Sequence, residues 1–81
     1  MKALVEFLGT QRIVTKRSSL DIPIAEKTRV IDALEYIKQR YPDLPLDDET
    51  IIITVNQEIV SPDKILKAND IISFLPLIGG G

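Results

Sequence analysis

The sequence predicts an α+β domain in which a mixed sheet of four to five strands packs on one main helix. Three observations point there. Short apolar runs with strand-like alternation lie near both ends of the chain, at residues 2–8 and 51–75. A single apolar stripe at helical spacing sits between them, over residues 30–41. The chain has 81 residues, 44% of them apolar, which suits one core and no more.

The elements follow in order. Ala3, Val5 and Phe7 fall on one face of a first strand, and Leu4, Glu6 and Leu8 on the other. Gly9-Thr10-Gln11 reads as a turn. A second strand is expected between Arg12 and Ile24, where Leu20, Ile22 and Ile24 alternate with Asp21 and Pro23. Pro23 donates no backbone hydrogen bond, which places that strand at an edge or near its end. Lys16-Arg17-Ser18-Ser19 reads as either a loop or a bulge within it.

The helix is expected to begin at Thr28, whose hydroxyl can accept from free first-turn amides. Val30, Ala33, Leu34, Ile37 and Tyr41 then form the apolar stripe, with Asp32, Glu35 and Lys38 on the solvated side. Arg40 suits the last turn, where the helix dipole favours a cation. Pro42 disfavours helical geometry at Tyr41 and ends the helix there. Asp47, Asp48 and Glu49 read as a solvated acidic loop, since a metal site needs more convergent ligands than one loop offers. Ile51–Val55, a turn at Asn56-Gln57 and Glu58-Ile59-Val60 read as a hairpin. Ser61-Pro62-Asp63 opens a loop, and Lys67-Ala68-Asn69-Asp70 turns into a last strand over residues 71–75. Strand, strand, helix, strand, short strand, strand is the element order of a β-grasp, or ubiquitin-like, architecture. Residues 1–75 would form that domain, and residues 76–81 a flexible tail.

Composition removes several function classes. The sequence has no cysteine and no histidine, so it offers no catalytic thiol, no zinc–thiolate site and no imidazole base. No nucleophile–base pair or phosphate-cradling loop replaces them, and a bound metal or cofactor is not expected. Ten basic and twelve acidic residues are mixed along the chain, for a net charge of −2, which argues against a nucleic-acid-binding face. No apolar run approaches the ~20 residues that span a bilayer. A first strand starting near Lys2 leaves no place for a secretory signal. A cytoplasmic protein is expected, with no membrane partner.

The remaining chemistry lies at the end of the chain. Leu75, Pro76, Leu77 and Ile78 lead into Gly79, Gly80 and Gly81. Glycines lose the most backbone entropy on ordering, so three in succession should be mobile. Apolar side chains on a projecting tail are wasted unless a partner covers them. A strip without side chains can then thread a narrow channel and carry the Gly81 carboxylate to a reactive centre. A terminal carboxylate ordinarily titrates at about pH 3.3–3.7, so this one is ionised and inert towards nucleophiles until activated. Period-two alternation makes Ile72 and Phe74 core residues of the last strand, and turns Leu75 towards a partner. Leu75, Pro76, Leu77, Ile78 and Gly79 are the expected partner contacts. Arg12, Lys16 and Arg17 could pair with acids on a partner, but a solvated surface is the expectation.

Val55-Asn56-Gln57, Val60-Ser61, Asp70 and the run Phe74-Leu75-Pro76-Leu77-Ile78-Gly79-Gly80-Gly81 together resemble the MoaD/ThiS family of ubiquitin-like sulfur carriers. Members of the MoaD branch show a Val-Asn-Gln turn, an aspartate opening the last strand, and a Phe-Phe-Pro-Pro-Val-x-Gly-Gly end. Leu75 stands here for the second phenylalanine, Leu77 for the second proline and Gly79 for the variable place. Their Arg-Glu pair after the first strand is met by Arg12 followed by Ile13. The small archaeal modifier proteins share the fold and the Gly-Gly end.

The resemblance implies a carrier, not an enzyme. A MoeB-like adenylating enzyme would activate Gly81 with ATP, and a sulfur donor would convert it to a thiocarboxylate. In a MoaD-type system the sulfur passes to a MoaE-like large subunit for molybdopterin synthesis, the leading expectation here. In a ThiS-type system it serves thiamine, and in a modifier the glycine is joined to a lysine of a target protein. A β-grasp binding module that never uses its terminus is the remaining alternative.

Overall fold

The computed structural model describes residues 1–46 and 51–76. In chain order the elements are β1 (Lys2–Glu6), α1 (Thr10–Thr15), β2 (Ser19–Pro23), α2 (Val30–Arg40), β3 (Ile51–Val55), β4 (Glu58–Ile59) and β5 (Ile71–Pro76). The five strands form one mixed sheet in the order β2-β1-β5-β3-β4. β1 and β5 lie parallel at its centre, and the remaining neighbours are antiparallel. This is the expected β-grasp architecture: a mixed sheet packed on one main helix.

Alternation along each strand decides which side is dry. Ala3, Val5 and Phe7 from the first strand and its extension are buried, with Leu20 and Ile22 of β2, Ile53 and Val55 of β3, and Ile72 and Phe74 of β5. α2 covers this face with Val30, Ala33, Leu34 and Ile37, all buried as the stripe requires. Tyr41, at the C-cap, packs its ring edge-on against Phe7 with centroids 5.8 Å apart. Leu44, Leu46 and Leu66 close the core from the loops.

Pro23 ends β2, which is an edge strand as expected. Asn56 and Gln57 both have positive φ, 52° and 72°, as the two-residue turn between β3 and β4 demands. β4 is shorter than expected, because Val60 already leaves the ladder after donating its N–H to the Ile53 carbonyl at 3.0 Å.

Two expectations are corrected. Residues 10–15 form the short helix α1, not a turn leading into a strand, and β2 begins only at Ser19. Gly9 opens the helix at φ 54°, a left-handed geometry that suits glycine, and Lys16 closes it at φ 59°. The inward side chains of α1 are Gln11 and Thr15, four residues apart and both polar, so apolar periodicity does not reveal this helix.

Thr28 does not cap α2. Its hydroxyl accepts from the Ala25 N–H at 2.8 Å and closes a preceding turn, while Arg29 occupies the N-cap. The first free amides of α2 find other partners: Val30 N–H donates to the Lys64 carbonyl at 2.9 Å and Ile31 N–H to that of Pro62 at 3.0 Å. Asp32 reaches back to accept from the Arg29 N–H at 2.9 Å, completing the start of the helix. The acidic segment Asp47, Asp48 and Glu49 lies outside the described residues.

Candidate functional site

β5 leads from the centre of the sheet towards the terminal glycines, so the root of that segment is held from both sides. On the β3 side, Leu75 pairs with Ile52 and Pro76 with Ile51, and the strand continues through Pro76. On the β1 side, strand pairing stops at Glu6 opposite Ser73. Beyond that point α1 takes over. The Gln11 side-chain amide donates to the Phe74 carbonyl at 2.6 Å, and its carbonyl oxygen accepts from the Leu8 N–H at 3.0 Å. Gln11 is buried, and both ends of its amide are satisfied. It thus ties the chain leaving β1 to the last residues of β5.

Ile72 and Phe74 are fully buried beneath α2, as expected. Ile71, Ser73 and Leu75 face the other side of the sheet, where Leu75 lies beside Ile52. Leu75 is half-buried, which leaves part of its side chain available to a partner. Leu77, Ile78, Gly79, Gly80 and Gly81 lie outside the described residues.

The opposite end of β5 carries the residues of the Val-Asn-Gln turn and the strand-opening aspartate, and their work is structural. Asn56 Nδ2 donates to Asp70 Oδ1 at 2.9 Å, and Asn56 Oδ1 accepts from the Ile71 N–H at 3.0 Å. Asp70 Oδ2 accepts from the Lys67 N–H at 2.8 Å, and Asp70 is buried. One amide and one carboxylate therefore lock the β3–β4 turn to the start of β5.

Among the described residues, no group of three or more His, Cys, Asp or Glu side chains is placed to hold a metal ion. No helix among them is long and apolar enough to cross a membrane. Gln11 is the site residue that reading for apolar periodicity misses; the available signal was two hydrogen-bonding side chains, Gln11 and Thr15, at i, i+4 after a glycine.

A β-grasp body whose central strand ends just before a glycine-rich segment is the form of a ubiquitin-like carrier. The ThiS family model matches residues 5–81, which includes the last glycine, and the chain belongs to that family. It lies within the β-grasp superfamily of sulfur carriers and ubiquitin-like proteins. The molybdopterin synthase sulfur carrier subunit of Dictyostelium discoideum is 31% identical over 78 residues, covering 93% of this chain and 90% of that protein. A putative molybdopterin converting factor subunit 1 from Pyrococcus furiosus superposes with a TM-score of 0.81 at 27% identity, covering 95% of this chain and 98% of that one. A protein–protein complex of subunits 1 and 2 of the molybdopterin-converting factor from Helicobacter pylori contains a chain similar over 100% of both lengths, with a TM-score of 0.66 and 27% identity.

Proposed function

We propose that this protein carries sulfur as a thiocarboxylate on Gly81 and donates it to molybdopterin synthesis. The observation that carries this reading is the 31% identity to a molybdopterin synthase sulfur carrier subunit along almost the whole chain. The family match through residue 81 supports placing the reacting group there. The chain's own chemistry agrees, because it brings neither thiol nor imidazole to the reaction.

A carboxylate oxygen of Gly81 attacks the α-phosphorus of ATP on a MoeB-like adenylating enzyme, and pyrophosphate leaves. Hydrosulfide released by a donor then adds to the acyl-adenylate carbonyl, the C–O bond to phosphate breaks, AMP departs, and a thiocarboxylate remains. Every catalytic group belongs to partners; the carrier holds no cofactor, and ATP is the enzyme's substrate. Gly79 and Gly80 give the backbone its passage through the partner's channel, and Leu75, Pro76, Leu77 and Ile78 are the contacts that hold it there. A MoaE-like large subunit receives the loaded chain, in line with the two-subunit complex that contains the Helicobacter relative.

Reconstitution tests the pathway. The thiocarboxylated chain, a MoaE-like subunit and the pterin precursor should yield molybdopterin, and a chain lacking Gly80 and Gly81 should yield none. Thiazole formation with thiamine-pathway partners in place of molybdopterin, or Gly81 remnants on cellular lysines without it, would move the assignment to another branch.

A further inference from the structure

The last rung between the first strand and β5 is made by a side chain. In a strand, the backbone groups of alternate residues face the same neighbour. The Leu4 N–H donates to the Asp70 carbonyl at 2.9 Å, so Asp70, Ile72, Phe74 and Pro76 turn their backbone to the β1 side. Leu8 is the residue of the first strand's extension that next meets them. A regular rung would run from the Leu8 N–H to the Phe74 carbonyl, and from an N–H at position 76 to the Leu8 carbonyl. Position 76 is a proline and has no N–H. Gln11 supplies the rung instead. Its Oε1 accepts from the Leu8 N–H at 3.0 Å, its Nε2 donates to the Phe74 carbonyl at 2.6 Å, and its backbone N–H donates to the Leu8 carbonyl at 3.0 Å. α1 holds this residue in place, since the Thr15 hydroxyl donates to the Gln11 carbonyl at 2.9 Å. Gln11 and Pro76 therefore form a matched pair.

We propose that Gln11 is a positioning residue for the chemistry at Gly81, acting through the Phe74 carbonyl; the inference rests on the carrier reading. Among the described residues, Phe74 is the last of β5 to be bound on the β1 side. The chain that carries the carboxylate continues from there through Leu75 and Pro76. Glycine backbones set no direction of their own, so the direction of the arm must come from its root. β3 holds that root on one side at Leu75, and Gln11 holds it on the other. Without the Gln11 amide the strand end is held from one side alone, and the fixed point from which the arm extends moves back towards the centre of the sheet. A longer free arm lowers the effective concentration of its end. A displacement of about 1 Å made far from the reacting atoms can cost about 10²-fold in rate. An enzyme that binds the body normally then meets the carboxylate in the productive place less often, which is a defect in kcat and not in KM.

ATP–pyrophosphate exchange by the adenylating enzyme of the same organism reads this directly, with the full chain as the varied substrate. Gln11→Leu should lower kcat by about tenfold and leave KM within about twofold of the parent. Gln11→Met, which keeps an unbranched side chain but makes neither bond, should do the same. Asp70→Ala is the control. It removes the hydrogen bonds at the opposite end of the same strand, where Asp70 accepts from Asn56 and Lys67, and leaves the Phe74 carbonyl bound. Assayed at a temperature where thermal melts show every variant folded, Asp70→Ala should keep the parent's kcat and KM. A purely structural role for Gln11 would leave all the variants alike under those conditions. Parental kcat in both Gln11 variants, a rise in KM at unchanged kcat, or an equal loss in Asp70→Ala overturns the positioning role while the carrier reading stands. A parent chain that supports no exchange at all removes the carrier reading, and this inference with it.

Discussion

The amide of Gln11 does at Phe74 what a further residue of β1 would otherwise have to do. β1 stops pairing with β5 at Ser73, and the Phe74 carbonyl accepts from a side-chain amide instead. Leaving a buried acceptor unmatched costs about 1–3 kcal/mol. Gln11→Leu, which roughly keeps the volume, should therefore lower unfolding free energy by about that amount in a urea titration. An unchanged midpoint would mean that water replaces the amide without loss. Asp70 holds the opposite end of β5 by accepting from both Lys67 and Asn56. Asp70→Ala strands those donors and should likewise cost about 1–3 kcal/mol, with the same titration as the check.

At the scale of elements, β5 keeps two faces that do different work. Phe74 is 1% exposed and Leu75 only half-buried, although they are neighbours in sequence. Phe74→Ala should cost about 3–5 kcal/mol, the usual consequence of emptying an aromatic site in a core. Leu75→Ala should cost about 1 kcal/mol, because only part of its area leaves water. Equal losses for the two, measured by chemical denaturation, would contradict the assignment of faces. This division was legible in the sequence, since strand alternation alone separates Ile72 and Phe74 from Ile71, Ser73 and Leu75. α2 was legible for the same kind of reason, through its four buried stripe residues and the stop before Pro42. α1 was not. Ile13 and Val14 are β-branched and favour a strand reading, and the pair that anchors the helix is hydrogen-bonded rather than apolar. The start of α2 also escaped the sequence, because its free amides are met by carbonyls at Pro62 and Lys64, more than thirty residues downstream.

Across the whole molecule, the body is a support placed around one central strand. Its core draws on both halves of the chain, and the root of the terminal segment is fastened by β3 on one side and α1 on the other. The sequence points to a candidate site through the family motif and the glycines that follow the last strand, and those glycines lie outside the described residues. What the sequence did not show was how that root is held, since this depends on a contact between residues 63 positions apart. Removing Gly80 and Gly81 should leave the melting temperature unchanged, because every core residue named above lies upstream of them. The central claim is that Gly81 is the reacting residue, and intact-protein mass spectrometry tests it most directly. After incubation with the adenylating enzyme, ATP and a sulfur donor, the chain should gain the mass that exchanges one oxygen for one sulfur, and fragmentation should locate that gain on Gly81. An unchanged mass with partners that load another carrier, or a gain located on any other residue, would contradict it.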